Sequence, residues 1–114
     1  MRLRIVQKKL IMTRGDSEAI TFSRTGKDGQ AIPFVNGDKV YFSVKKSYSD
    51  TQYAFQKVVV SFLNGQTVFN IDPDDTKKLA AGTYKYDIQW TLANGEVKTP
   101  VKGDFVIEED VTHE

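Results

Sequence analysis

Few residues in this chain have side chains suited to chemistry. It contains no cysteine and one histidine, His113, next to the C-terminal residue. Thiolate metal sites, disulfides and cysteine nucleophiles are thereby excluded, and histidine acid–base chemistry is left with a chain end. Arg14-Gly15-Asp16 is a tripeptide that can serve as an integrin ligand. A charged glycine turn between two strands would carry the same letters, so a structural role is expected. Asp72, Asp74 and Asp75 bring three carboxylates together in sequence. Calcium needs six to eight oxygen ligands and the EF-hand spacing is missing, so helix capping is the expected role, with no metal. Asp87 and Asp104 are candidates for a carboxylate pair of the glycosidase kind, which is a spatial rather than a sequential arrangement. Asp87 falls on the polar side of a strand and Asp104 follows Gly103 at an expected turn, both ordinary positions. No serine has a convincing base and no glycine loop matches a phosphate cradle. The chain is expected not to be an enzyme and to need no cofactor.

The segment Ser47-Tyr48-Ser49-Asp50-Thr51-Gln52-Tyr53 is the loop with most to offer. Tyrosines among small polar residues are a frequent composition of contact surfaces. A long connection whose tyrosines fold back over a sheet edge explains it equally well. Lys45 and Lys46 beside it make a weak basic patch, but the overall charge balance argues against nucleic acid as a partner. Tyr41, Tyr48, Tyr53, Arg2 and Arg4 are the candidate partner-contact residues.

The elements that would position these residues read as strands. Tyr84, Tyr86, Ile88, Trp90 and Leu92 alternate with Lys85, Asp87, Gln89 and Thr91, the period-two signature of a strand buried on one face. Trp90 therefore points inward. Val40, Phe42 and Val44 repeat the pattern, with Tyr41, Ser43 and Lys45 on the other face. Shorter versions occur at 19–22, 67–71 and 105–107. Lys57 to Phe62 is apolar on both faces, which predicts a strand covered on both sides or a bulge. Residues 5–12 are expected to form one further strand. Asn64-Gly65 and Asn94-Gly95 are hairpin signals, and Asp28-Gly29 and Asn36-Gly37 mark other turns. One helix of about two turns is expected near 73–81, with Asp72 as its cap, Pro73 at its first position, Lys77 and Lys78 near its end, and Gly82 stopping it. Leu79 would anchor it on the core. The predicted architecture is all-β: an immunoglobulin-like antiparallel β-sandwich of about 7–9 strands forming a single domain over 1–114.

Length and charge are consistent with that. At 114 residues, roughly two-thirds of the unfolded surface can be buried. No stretch approaches the ~20 apolar residues of a membrane span, and Gln7, Lys8 and Lys9 interrupt any signal-like apolar run, so no membrane partner is expected. The net charge of +1 conceals an asymmetry: residues 1–57 carry 11 Lys/Arg against 5 Asp/Glu, and residues 58–114 carry 5 against 10. Opposite ends can attract within one molecule or between copies, the latter giving a homo-oligomer, or the charges can simply be solvated.

With strands and turns placed, the order of residues becomes recognisable. It includes Arg14-Gly15-Asp16-Ser17, Gly37-Asp38-Lys39-Val40-Tyr41-Phe42-Ser43, Ile71-Asp72-Pro73-Asp74-Asp75-Thr76, Gly82-Thr83-Tyr84-Lys85-Tyr86-Asp87-Ile88, and Gly103-Asp104-Phe105. This order, spanning about 100 residues and closing on Ile107 to Thr112, resembles a family of small phage and prophage structural proteins. It is similar to the N-terminal domain of phage baseplate upper proteins. The resemblance implies an immunoglobulin-like sandwich used as a tail or baseplate assembly module. Its implied partners are other virion proteins, and its location is the virion after synthesis in the bacterial cytoplasm. The helical and trimerising regions that follow such a domain have no counterpart before Glu114, so a free-standing relative or an excised domain is expected. The rival expectation is a carbohydrate- or cell-wall-binding sandwich that stacks sugars on Tyr48, Tyr53 and Trp90.

Overall fold

The longest alternating segment forms the centre of a six-stranded sheet. The computed structural model describes residues 4–6, 9–25, 28–62 and 64–110. Its strands are β1 (Arg4–Val6), β2 (Lys9–Thr13), β3 (Glu18–Phe22), β4 (Arg24–Thr25), β5 (Ala31–Ile32), β6 (Lys39–Lys45), β7 (Phe55–Val59), β8 (Thr67–Ile71), β9 (Gly82–Thr91) and β10 (Val97–Glu108). A single helical turn, α1 (Pro73–Thr76), precedes β9. The large sheet has the order β1-β2-β10-β9-β6-β7; β3 and β8 form a second sheet, and β4 and β5 a small hairpin. The chain is thus an all-β, sandwich-like domain with eight strands in its two main sheets. Pairing is antiparallel except between β2 and β10, which run parallel with Leu10 opposite Phe105 and Met12 opposite Ile107.

The core is made by the inward rows of both sheets. Val40, Phe42 and Val44 of β6, Tyr84, Tyr86, Ile88 and Trp90 of β9, and Phe105 and Ile107 of β10 meet Ile20 of β3 and Phe69 and Ile71 of β8. Phe42 sits at the middle, its ring centroid 5.5 Å from that of Phe69 across the sandwich and 5.6 Å from that of Tyr86. Trp90 is inward as predicted, 8% exposed, between Phe22 and Phe34. Just past the start of β9, the Tyr84 hydroxyl donates to the Ala80 carbonyl at 2.9 Å. A tyrosine bonded back to the preceding corner in this way is characteristic of immunoglobulin-like sandwiches.

Several local expectations need correcting. In place of one strand over 5–12 there are two antiparallel strands, β1 and β2, with Ile5 opposite Leu10. The run from Lys57 is not covered on both faces: β7 ends the large sheet, and Val58 and Val60 are exposed. Its inner-face position 57 is a lysine, whose ammonium reaches Asp75 at 2.7 Å and Asp72 at 3.5 Å. An inward charge of this kind blunts an edge strand against pairing with another chain. The helix stops at Thr76, well short of 81, so Lys77 and Lys78 fall beyond it and Gly82 opens β9 instead. Thr76 is fully buried and its Oγ1 accepts from the Gly15 amide at 2.9 Å, pinning the chain where another helical turn would have to leave the core. Asp72 is the N-cap and Pro73 follows it as expected, with Asp75 accepting from the Asp72 amide at 2.7 Å. Leu79 packs against the core as expected.

The turns divide in the same manner. Asn64 and Gly65 both take positive φ, +54° and +74°, as that dipeptide predicts, but they carry the chain between sheets and do not close a hairpin. Asn94-Gly95 does close the β9–β10 hairpin; only Gly95 has positive φ, and Asn94 Oδ1 accepts from the Glu96 amide at 2.9 Å. The β9–β10 register shifts between Lys98 and Val101, an interval containing Pro100, which has no amide hydrogen for the ladder.

Candidate functional site

The outer face of the large sheet carries the densest set of polar side chains. Register alone assembles it. Ser43 of β6 lies opposite Asp87 of β9, Asp87 opposite Lys102 of β10, and Ser43 opposite Gln56 of β7. One row along, Lys45 lies opposite Lys85 and Lys85 opposite Asp104; in the other direction Tyr41 lies between Gln89 and Val58. Cross-strand bonds tie the rows together: Gln56 Nε2 donates to Ser43 Oγ at 2.9 Å, Gln89 Nε2 to Thr99 Oγ1 at 3.2 Å, and Lys85 Nζ to Asp104 Oδ1.

The 46–54 connection folds back over this face. The Tyr48 hydroxyl donates to the carbonyls of Gly103 and Tyr86 at 3.3 and 3.4 Å, reaching across two strands. Lys45 Nζ donates to the Asp50 carbonyl at 2.8 Å and lies 5.0 Å from the Tyr53 ring centroid, a cation–π contact. The amide of Ala54 returns the chain to β6 through the Val44 carbonyl at 2.7 Å. Both tyrosines remain half exposed, at 50% and 49%, so the loop presents aromatic faces in fixed positions. Between loop and sheet lies a cleft of about 140 Å³, with Asp87, Ser43 and Gln89 beneath and Tyr48, Tyr53 and Lys45 around it.

Four ionisable groups here depart from their ordinary values, among them Tyr86, whose phenol burial pushes up to about 12. Burial pushes the Asp87 carboxyl up, only partly offset by Lys102 and Lys45, and Asp87 makes no hydrogen bond or ion pair of its own among the described residues. The hydrogen bond from Lys85 holds Asp104 down, and Asp104 in turn raises Lys85. Two carboxylates on one face are thus driven in opposite directions by their surroundings.

Of the predicted contact residues, Tyr48 and Tyr53 come together at the cleft and Tyr41 lies farther along the same face. Arg4 is in β1, at the opposite edge of the sheet, and Arg2 lies outside the described residues, as does His113. Sequence reasoning passed over Gln56 and Lys85, and it singled out Asp87 and Lys45 only to read them as an ordinary polar strand position and a weak basic patch. Their outward orientation was legible, but the β6–β9–β7 register that groups them was not.

The other candidates are occupied structurally. Arg14 donates to Asp110 Oδ1 through Nη2 at 3.0 Å and Nε at 3.1 Å, and to the Leu79 carbonyl at 3.3 Å. The Arg14-Gly15-Asp16 turn is therefore bound into the fold through its arginine and, through Thr76, its glycine amide. Asp72 and Asp75 surround an ammonium group, that of Lys57. No family model and no curated protein matches this chain.

Proposed function

We propose that this domain is a non-catalytic structural module of a phage or prophage virion, a tail or baseplate part acting through contacts with other virion proteins. The observation that carries the reading is where its contact-type residues sit. Tyr41 and Val58, opposite each other on β6 and β7, extend the Tyr48–Tyr53 surface across one half of the large sheet, and Val58 is about half exposed. Meanwhile the adjoining edge strand β7 is shielded by the inward Lys57. A blunted edge beside an aromatic and aliphatic face favours docking onto the face over addition of a strand. The sequence order from Arg14 to Thr112 that resembles baseplate components supports the virion setting.

Mass spectrometry of purified virions from a lysogen carrying this gene tests the setting. The chain should be present at stoichiometric level, and cross-links should leave from the Tyr41–Val58 side of the sheet. Its absence from intact virions would end the reading.

A further inference from the structure

We infer that the cleft over Asp87 is a binding site for a single neutral pyranose ring of a glycan. The site stands apart from the virion assignment and would hold in any setting of the domain. Its volume of about 140 Å³ is well below the ~300–1,000 Å³ of sites that enclose drug-sized ligands, and suits one ring entering from an open side.

The lining mixes charges of both signs. Asp87 offers an acceptor with no hydrogen-bond partner among the described residues, while Lys45 keeps donors beyond the one used on Asp50. An anion would meet the Asp87 carboxylate, and a cation would meet Lys45 and Lys85, the two lysines that line the cleft. A neutral ligand whose neighbouring hydroxyls both donate and accept satisfies each group at once. Flanking these polar groups, Tyr48 and Tyr53 present half-exposed rings to the C–H face that a pyranose also carries.

Keeping Asp87 has a cost. Burial disfavours its charge, Lys102 and Lys45 offset this only in part, and no hydrogen bond from the described residues adds to them. Asp87 lines the open cleft, so a ligand hydroxyl entering there can take the place of solvent on an acceptor that no described side chain occupies. Ser43, Gln56, Gln89, Lys85 and Asp104 around it all have partners.

Backbone amide spectra of the isotope-labelled domain, recorded against glucose, galactose, mannose, rhamnose and N-acetylglucosamine in turn, test the inference. Free arginine and inorganic phosphate serve as charged probes. At least one neutral sugar should shift resonances of Ser43, Lys45, Tyr48, Tyr53 and Asp87 saturably. Asp87→Ala and Tyr53→Ala should each weaken that binding by about tenfold or more, the scale of a lost charge-assisted hydrogen bond or aromatic platform. Val97→Ala, at an exposed position away from the cleft, should leave it unchanged. Thermal melts establish that each variant is folded. No saturable shift with any neutral sugar, shifts that survive Asp87→Ala, or response to arginine or phosphate alone would each overturn the inference.

Discussion

Asp38 shows how one side chain can hold two parts of the fold together. It is 3% exposed, and its carboxylate accepts from the Val35 amide and the Ala93 amide, both at 2.9 Å. It therefore closes the turn before β6 and ties it to the β9–β10 hairpin. Asp38→Ala leaves two amides without their acceptor and should cost about 2–4 kcal/mol in urea unfolding. Asp87 and Asp104 make a contrasting pair. Asp87 is raised in the folded state, so its charge opposes folding above that raised value. Asp87→Asn should accordingly stabilise the domain at neutral pH, with the gain vanishing as acid protonates Asp87 in both states. Asp104 is lowered by Lys85, so its contribution is present above the ordinary carboxylate value and lost as pH falls through the lowered one. Asp104→Asn should destabilise at neutral pH and converge with the wild type in acid. Melting curves across pH for both variants check the two opposite signs.

At the scale of elements, β9 is the clearest case of a strand written in its residues. Ile88 is 4% exposed and Gln89 half-buried on the outer face. Ile88→Ala should cost roughly 2–5 kcal/mol and Gln89→Ala less than about 1 kcal/mol, since only one hydrogen bond at the rim is lost. Equal midpoints would contradict the register. Turns separate by surroundings as well as by backbone angle. A Cβ on Gly65 would meet the Pro33 Cβ at 2.3 Å, whereas one on Gly95 would meet nothing within 4 Å. Gly95→Ala should cost only the left-handed strain, about 1–2 kcal/mol, and Gly65→Ala clearly more, as read by the same unfolding experiment. Of β7, the sequence showed only a β-branched run. Its edge position is set by the sheet order, and the inward Lys57 beside that edge has a pKa that burial alone would lower but that Asp75 and Asp72 raise overall. That outcome depends on a corner some fifteen residues further along the chain.

Over the whole molecule, the charge asymmetry is folded onto itself. Arg14 pairs with Asp110 and Lys57 with Asp72 and Asp75, each bond joining the basic first half to the acidic second. The parallel β2–β10 pairing brings residues 10–13 and 105–108 side by side in one sheet. Raising salt should therefore lower the melting temperature modestly while the sedimentation coefficient stays that of a monomer. A monomer–dimer shift that disappears at high salt would mean the charges are used between copies.

Alternation at 84–92 and 40–45, and turn dipeptides between runs, were sufficient to specify an all-β sandwich and to place Trp90 inside. Those properties are local: each residue's side of the sheet follows from its parity along the strand. Tertiary structure alone decided the strand order, the parallel β2–β10 pair, the single turn of α1 and the edge role of β7. It also decided the candidate site, because Lys45, Tyr53, Asp87 and Gln56 come from three different stretches of chain. Their grouping is set by inter-strand register and by a loop folding over the sheet, and neither leaves a period or a motif in a single sequence.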